Sequence, residues 1–181
     1  MATAPESYIS ERDYLLSERQ SETKAEYVDG QVLAMAGASE RHNRLLSNLI
    51  MLVGPQLRGG GCRIYPSDLK IKVANRYFYP DASIVCGKAV FTDDMNDVVL
   101  NPTVLFEILS PSSAAYDRGV KFLSYQGIES LREYVLISQD EEIVETYRRH
   151  LESSWLYSRA EAELHLDSVG VKVRVCDLYE D

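Results

Sequence analysis

The spacing of apolar and polar residues along the chain predicts helices and strands in alternation. Helices are predicted where apolar residues recur every three or four positions or where a polar residue can cap the first turn, over residues 10–17, 40–57 and 117–125. Strands are predicted where apolar residues alternate with polar ones or form short runs, over residues 63–73, 77–86, 104–109 and 132–138.

Antiparallel strands are predicted at both ends of this series. Asp29-Gly30, a strong hairpin signal, closes two strands over residues 26–36. Residues 143–147, 154–157, 164–166 and 171–175 have the pattern of an antiparallel meander. We therefore predict an α/β fold with a mixed central sheet flanked by helices. Without repeats or long linkers, residues 1–181 are expected to form one domain with its core at about 40–138.

Composition narrows the class of protein. The chain has 181 residues, of which 45% are hydrophobic and 26% charged, as in folded proteins. Its apolar runs are too short to cross a bilayer, and its first residues lack the pattern of a signal peptide. The three cysteines are widely spaced with no CxxC pair, which argues against a disulfide framework or zinc site and favours a cytoplasmic location.

Glu107 is the most informative single position. It lies between Phe106 and Ile108 in a strand of otherwise apolar residues. An isolated carboxylate is costly to bury there, so it needs a cation, a proton or several hydrogen bonds. A structural ion pair with Arg or Lys meets that need as well as a metal ion does, and Glu107 alone leaves both interpretations open.

Asp81 adds a second carboxylate on the preceding predicted strand. It follows Pro80, where an Asp also commonly makes a local turn, although the pattern places it in mid-strand. Carboxylates on paired strands, which lie about 4.8 Å apart, can share a metal ion. Oxygen ligands suit Mg²⁺ or Mn²⁺, ions that activate water and stabilise charge in phosphodiester hydrolysis.

Lys121 is the third candidate. In the predicted helix after Glu107, the residues Arg118, Lys121 and Tyr125 fall at i, i+3 and i+7 and should share one face. A lysine directed at the carboxylates would hold a phosphate or position the attacking water. The alternative is a solvated helix lysine.

An ordered set of motifs resembles a known family. The motifs are Tyr79-Pro80-Asp81 and residues 106–112 and 116–122, with further matches at 26–30, 41–43, 66–70 and 133–136. Together they span about residues 26–149 and are similar to the Uma-type endonucleases, a bacterial group of the PD-(D/E)XK superfamily. The resemblance implies a restriction-endonuclease-like core.

One position departs from the superfamily pattern, in which a lysine follows two residues after the Glu. Leu109 stands there, and the family's lysine corresponds to Lys121 on the next helix. Two auxiliary residues remain open. His42, on the apolar face of its helix, is a metal ligand, a phosphate contact or a satisfied core histidine. Glu26, which resembles a recurrent family glutamate, extends the metal shell or pairs with a basic side chain.

Three functions compete at this point. The first is a Mg²⁺- or Mn²⁺-dependent DNA endonuclease in which Asp81 and Glu107 bind the metal and Lys121 stabilises the developing charge. The second is a catalytically silent nucleic-acid-binding or assembly module, which the net charge of −9 favours because phosphate-binding surfaces are usually basic. The third is a phosphoesterase acting on a small nucleotide. A homodimer is expected for an endonuclease, since cutting both strands needs two sites, with the hairpin or the meander edge as contact.

Overall fold

The structure, a computed structural model, describes residues 8–151 and 154–180. The first residues, in which no signal peptide is expected, lie outside this range. The helices are α1 (Glu11–Glu18), α2 (Glu40–Val53), α3 (Ala114–Tyr116), α4 (Phe122–Tyr125) and α5 (Val175–Leu178), and a π-helical turn, Asp117–Lys121, joins α3 to α4. The strands are β1 (Ala25–Val28), β2 (Gln31–Ala34), β3 (Cys62–Pro66), β4 (Lys70–Val73), β5 (Arg76–Phe78), β6 (Ala82–Cys86), β7 (Val98–Val99), β8 (Val104–Leu109), β9 (Glu133–Ser138), β10 (Val144–Leu151), β11 (Ser154–Ala160), β12 (Glu163–Leu166) and β13 (Val171–Arg174).

A six-stranded mixed sheet forms the centre of the fold. Its order is β11-β10-β9-β8-β6-β3, with β8 and β9 parallel and the other pairs antiparallel. All six residues of β8 are buried, as its continuous apolar pattern requires. Apolar residues of α2, α5, β12 and β13 cover one face of this sheet. The predicted mixed sheet flanked by helices is therefore confirmed.

A five-stranded sheet of order β2-β1-β5-β4-β7 covers part of the other face. Ile71 and Phe78 of this sheet share an apolar cluster with Leu105 of β8 and Tyr125 of α4. Helix α1 packs on the five-stranded sheet through Tyr14, whose ring stacks on Tyr27. This packing brings β1 and the end of β5 close to the centre of β8.

Two predicted strands each divide between the two sheets, which corrects the expectations for residues 63–73 and 77–86. The first becomes β3 and β4, separated by a turn at Ser67-Asp68. The second becomes β5 and β6, separated by Tyr79-Pro80-Asp81. Pro80 has no amide hydrogen and cannot continue a strand ladder. Both breaks fall at residues typical of turns, Ser67-Asp68 and Pro80-Asp81, which were the available signals for the change of sheet.

Other boundaries also differ from the predictions. Helix α2 ends at Val53 instead of about residue 57, because Pro55 cannot donate the next helical hydrogen bond. The predicted helix 117–125 is a π-helical turn followed by the short α4. The predicted C-terminal meander is two units: β10 and β11 extend the central sheet, and β12 with β13 forms a separate antiparallel pair. The hairpin at Asp29-Gly30 is confirmed as β1 and β2, with both residues at positive φ.

Cys62 and Cys86 form a disulfide, so the expectation of no disulfide was wrong. The two residues are direct cross-strand partners of β3 and β6. Their separation of 24 residues gives no sign of this pairing, which depends on the register of two strands. Cys176 is free and exposed. In the part of the chain that is described, no helix is long and apolar enough to cross a membrane.

Candidate active site

Glu107 lies in the middle of β8 with both carboxylate oxygens occupied. One oxygen, Oε2, lies 3.1 Å from Lys121 Nζ, and the other, Oε1, accepts a hydrogen bond of 3.2 Å from the Tyr125 hydroxyl. The side chain is almost wholly buried. The sequence prediction that this carboxylate needs a compensating partner agrees with the observed geometry, in which Lys121 is that partner.

Lys121 is the centre of a buried carboxylate cluster. Its Nζ lies 3.0 Å from Glu26, 3.1 Å from Glu107 and 3.6 Å from Asp117, and it donates at 3.4 Å to the Tyr79 carbonyl. Lys121 and the three acidic residues are each 3–5% exposed. Lys121 is therefore not a solvated helix lysine, and Glu26 is paired with a basic side chain.

Asp117 is a member of this cluster that sequence reasoning missed. The π-helical turn directs both Asp117 and Lys121 into the protein, and such turns occur frequently at functional sites. The spacing of four residues between Asp117 and Lys121 was the available signal. Arg118, predicted to share the face of Lys121, lies instead on the outside and pairs with Glu145 at 2.5 Å.

Asp81 lies beside the cluster, in the connection before β6 and not in mid-strand. Its backbone N–H donates to the Phe106 carbonyl at 3.0 Å. Its Oδ2 accepts from the Ile108 backbone N–H at 2.7 Å, and its Oδ1 lies 2.9 Å from His42 Nε2. His42 thus faces Asp81 from the first turns of α2. The structure brings Glu26, Glu107 and Lys121 into direct contact and places Asp81 and His42 as a second pair nearby.

The connection that carries Asp81 is fixed at Tyr79. The Tyr79 backbone N–H donates to Glu26 at 2.9 Å, while its carbonyl accepts from Lys121. Its hydroxyl donates to Glu18 at 2.8 Å and accepts from Lys70 at 3.2 Å. Hydrogen bonds at both the N–H and the carbonyl of Tyr79 therefore fix the backbone two residues before Asp81.

Burial dominates the electrostatics of the cluster. It raises the pKa of Glu107 well above its usual range, against the opposing effect of Lys121. Burial likewise raises the pKa of Asp117, again opposed by Lys121. Burial acts to lower the pKa of Lys121, but Glu107, Glu26 and Asp117 outweigh it and the net pKa is raised. Lys121 is thus held as a cation, but its single positive charge does not compensate all three acidic side chains.

The residues present fit a divalent cation in their chemistry. Three buried carboxylates against one ammonium leave a formal charge of −2. Oxygen ligands of this kind suit Mg²⁺ and Mn²⁺. Within residues 8–151 and 154–180, however, no three His, Cys, Asp or Glu side chains converge closely enough to hold one ion. The point where the carboxylates of Glu26, Glu107 and Asp117 come nearest one another is occupied by Lys121.

A further polar group lies over the cluster. The Tyr116 ring covers the Lys121 ammonium, with Nζ 5.9 Å from the ring centroid. The Tyr116 hydroxyl is buried beside Glu26 and makes no hydrogen bond of regular geometry to any of the described residues. Such an unsatisfied group is uncommon in a folded protein and is available to a polar group that enters the site.

Comparison with known proteins identifies the family. The model of the Uma2 family, described as "Putative restriction endonuclease", matches residues 11–173. The chain belongs to the Uma2 family. The resemblance inferred from the sequence motifs is therefore confirmed.

Two relatives of this Uma2 chain come from Synechocystis sp. (strain ATCC 27184 / PCC 6803 / Kazusa). The protein named "Uncharacterized protein sll1609" is 34% identical over 165 residues, which cover 90% of this chain and 93% of the relative. "Uncharacterized protein slr1290" is 35% identical over 181 residues, which cover 98% of this chain and 94% of the relative. The similarity thus extends over nearly the whole length of all three proteins.

A crystal structure shares the fold of the Uma2 chain. It is described as a "putative nuclease belonging to DUF820" from Anabaena variabilis ATCC 29413, and it matches with a TM-score of 0.78 at 17% identity. The match covers 94% of this chain and 97% of that one. At this identity the comparison establishes a nuclease-like fold and nothing about individual residues.

Proposed function

We propose that this Uma2-family protein is a divalent-metal-dependent endonuclease that hydrolyses phosphodiester bonds in DNA. The observation that carries the proposal is a buried cluster beside Asp81 in which three acidic side chains share one ammonium. The acidic residues are Glu26, Glu107 and Asp117, and the ammonium belongs to Lys121. Burial of several carboxylates is costly unless a cation compensates them. The family description and the fold shared with the Anabaena variabilis protein support nucleic acid as the substrate.

Asp81 and Glu107 are the proposed metal ligands. Glu107 is placed on the central strand β8, and Asp81 is oriented by the Ile108 N–H and by His42. Hydrogen bonds from neighbouring groups hold a metal-binding side chain in position and increase its affinity for the metal. A bound Mg²⁺ or Mn²⁺ supplies an activated water and neutralises charge on the scissile phosphate. Glu26 is a candidate for the same shell.

Lys121 and His42 are the proposed groups for the substrate. An ammonium beside the metal ligands stabilises negative charge on the phosphate as the bond to the leaving oxygen breaks. The His42 ring uses Nε2 for Asp81 and makes no other hydrogen bond in the described part of the protein. Its Nδ1 is therefore available for a phosphate oxygen or a water molecule.

A second candidate is a nucleic-acid-binding or assembly module that retains the fold without cleavage. The net charge of −9 favours it, because proteins that contact many phosphates usually have a basic surface. The pairing of Glu107 with Lys121 also favours it, since an internal cation already compensates that carboxylate. The two candidates differ in whether a divalent ion is needed and bound.

The test is cleavage of supercoiled plasmid by the purified protein in Mg²⁺, in Mn²⁺ and in EDTA. The endonuclease is expected to nick or linearise the plasmid in either metal and not in EDTA. Single-stranded DNA, RNA and a nucleotide phosphodiester, assayed in parallel, separate an endonuclease from a phosphoesterase acting on nucleotides. Cleavage that survives EDTA contradicts the metal-dependent mechanism. Binding of DNA without cleavage in any metal supports the silent module.

A further inference from the structure

A basic stretch of the chain lies outside the carboxylate cluster. The chain has 28 acidic residues and a net charge of −9, yet residues 41–67 contain four arginines and no aspartate or glutamate. These residues form α2 after its first position, a glycine-rich loop and β3. Two of the arginines, Arg58 and Arg63, flank the glycine-rich loop, at the end of α2 that is remote from His42. Positive charge is therefore concentrated on one part of an acidic protein.

Arg58 and Arg63 line an open groove of about 590 Å³ between the end of α2 and the edge strand β3. Both residues are exposed, and neither guanidinium makes a hydrogen bond or an ion pair with any residue that the structure describes. Arg118 and Arg148, in contrast, are each paired with carboxylates. The positive charge of the groove is therefore available to a ligand.

Glycines make the backbone of this groove accessible. Gly59 and Gly61 have φ angles of 79° and 77°, a conformation that favours glycine, and a Cβ at either position would meet nothing within 4 Å. The Gly61 carbonyl accepts a hydrogen bond of 2.8 Å from the Gly87 N–H, which anchors the loop to the end of β6. No side chain at these two positions obstructs the approach of an extended anionic ligand to the guanidinium groups.

The groove lies within reach of a ligand bound at the candidate active site. His42 contacts Asp81, and from His42 to Gly54, which lines the groove, α2 advances about 18 Å at about 1.5 Å per residue. Along the sheet, Arg63 is the cross-strand partner of Val85, which follows Asp81 by about 13 Å at about 3.3 Å per residue. A DNA duplex spans these distances in about four to five base pairs of about 3.4 Å each.

We propose that Arg58 and Arg63 bind the phosphate backbone of a DNA duplex about half a helical turn from the Asp81–His42 pair. The inference rests on the proposed function, because it names the surface along which the substrate of that site lies. A guanidinium binds a phosphate through two parallel hydrogen bonds. Such contacts hold a duplex in position and carry no sequence information. One basic face of this kind allows a protein of net charge −9 to bind nucleic acid.

Fluorescence anisotropy of a labelled duplex of about 20 base pairs, two helical turns, measures this contact in EDTA without cleavage. Arg58→Gln/Arg63→Gln should bind at least about tenfold more weakly at about 0.1 M salt than the unaltered protein. The slope of log affinity against log salt should become shallower by about 1.8, which is about 0.9 for each lost phosphate contact. Arg12→Gln/Arg159→Gln makes the same charge change on α1 and on β11, the edge of the central sheet opposite β3, and should bind as the unaltered protein does.

The results separate this inference from the proposed function. Equal affinity and equal salt dependence of the two double variants overturn the groove contact even if the plasmid is cleaved. The expected loss of affinity, in a protein that binds the duplex and cleaves nothing, supports the groove contact and overturns the endonuclease. An unaltered protein that binds no duplex overturns the groove contact, whether or not it cleaves the plasmid. If the double variant does not fold, Arg58→Gln and Arg63→Gln decide singly, each with a slope shallower by about 0.9.

Discussion

Replacing Lys121 by Met should destabilise the metal-free protein strongly. Met keeps the length and apolar stem of the side chain but removes the one ammonium that contacts Glu26, Glu107 and Asp117. Removing one partner of a buried ion pair typically costs about 3–5 kcal/mol, because the other charge remains buried without compensation. Because the raised pKa of Glu107 and of Asp117 allows these groups to take up a proton, which limits the cost, we expect a loss within this range at neutral pH.

The loss is measurable as a change in melting temperature. In a chain of this size 1 kcal/mol changes Tm by about 2–4 °C, so Lys121→Met should melt about 6–20 °C below the unaltered protein. Thermal unfolding followed by circular dichroism in EDTA measures this difference. The exposed Lys172→Met is the matched control and should stay within about 0.5 kcal/mol.

The pH dependence has a defined sign. Burial raises the pKa of Glu107 and of Asp117, and removing Lys121 removes the effect that opposes it. A carboxyl group whose folded pKa is raised contributes stability below its unfolded pKa and loses it as pH rises through the folded pKa. The deficit of Lys121→Met should therefore be smallest near pH 5 and largest near pH 8. A Tm within about 3 °C of the unaltered protein at pH 7, or a deficit independent of pH, refutes this account of the cluster.

Two further predictions concern the scaffold. The disulfide closes a loop with a sequence separation of 24, so its reduction should cost about 3.5 kcal/mol of stability, seen as a lower Tm in reductant. The double variant Cys62→Ser/Cys86→Ser is the control, and an unaltered protein that melts at the same temperature with and without reductant contradicts this estimate. The protein should also be a homodimer, with β2 or β11, each paired with one neighbour in the described sheets, as the contact. Size-exclusion chromatography with light scattering should give twice the 20.5 kDa chain mass, and a species of 20.5 kDa alone contradicts the dimer.

The order of elements and the central strand could be predicted from sequence because they depend on local patterns. The apolar run of β8 marks a strand buried on both faces, and the polar exception within it marks Glu107. Asp29-Gly30 and Ser39 are local signals for a turn and a helix start, and both occur as predicted.

Features that depend on contacts between distant segments could not be predicted in this way. Ser67-Asp68 marks a turn within residues 63–73, but which sheet each half joins depends on strands far away in the chain, so only the assembled fold assigns β3 and β4 to different sheets. The disulfide depends on the register of β3 and β6, which the spacing of the cysteines does not contain. Register is fixed by which face is buried, a property of the whole sheet.

The candidate site shows the same division. Glu107 and Lys121 could be proposed from burial and spacing, and the structure brings them to 3.1 Å. Asp117 lies four residues before Lys121, a spacing that already pairs the two side chains on an ordinary helix, but the sequence alone does not show that the pair is buried against Glu107 and Glu26. Asp81 was expected within a strand, and its location in the connection follows from the break at Pro80.

The most direct test of the endonuclease is the rate at which Glu107→Gln cleaves plasmid under single-turnover conditions in Mg²⁺. Gln keeps the shape of the side chain and leaves Lys121 paired with Glu26 and Asp117, so the variant should fold. Loss of a metal ligand should remove at least about 3 kcal/mol of transition-state stabilisation, a rate lower by about a hundredfold. Glu129→Gln, at an exposed position, should cleave as the unaltered protein does. A folded Glu107→Gln that cleaves at the unaltered rate would contradict the central claim.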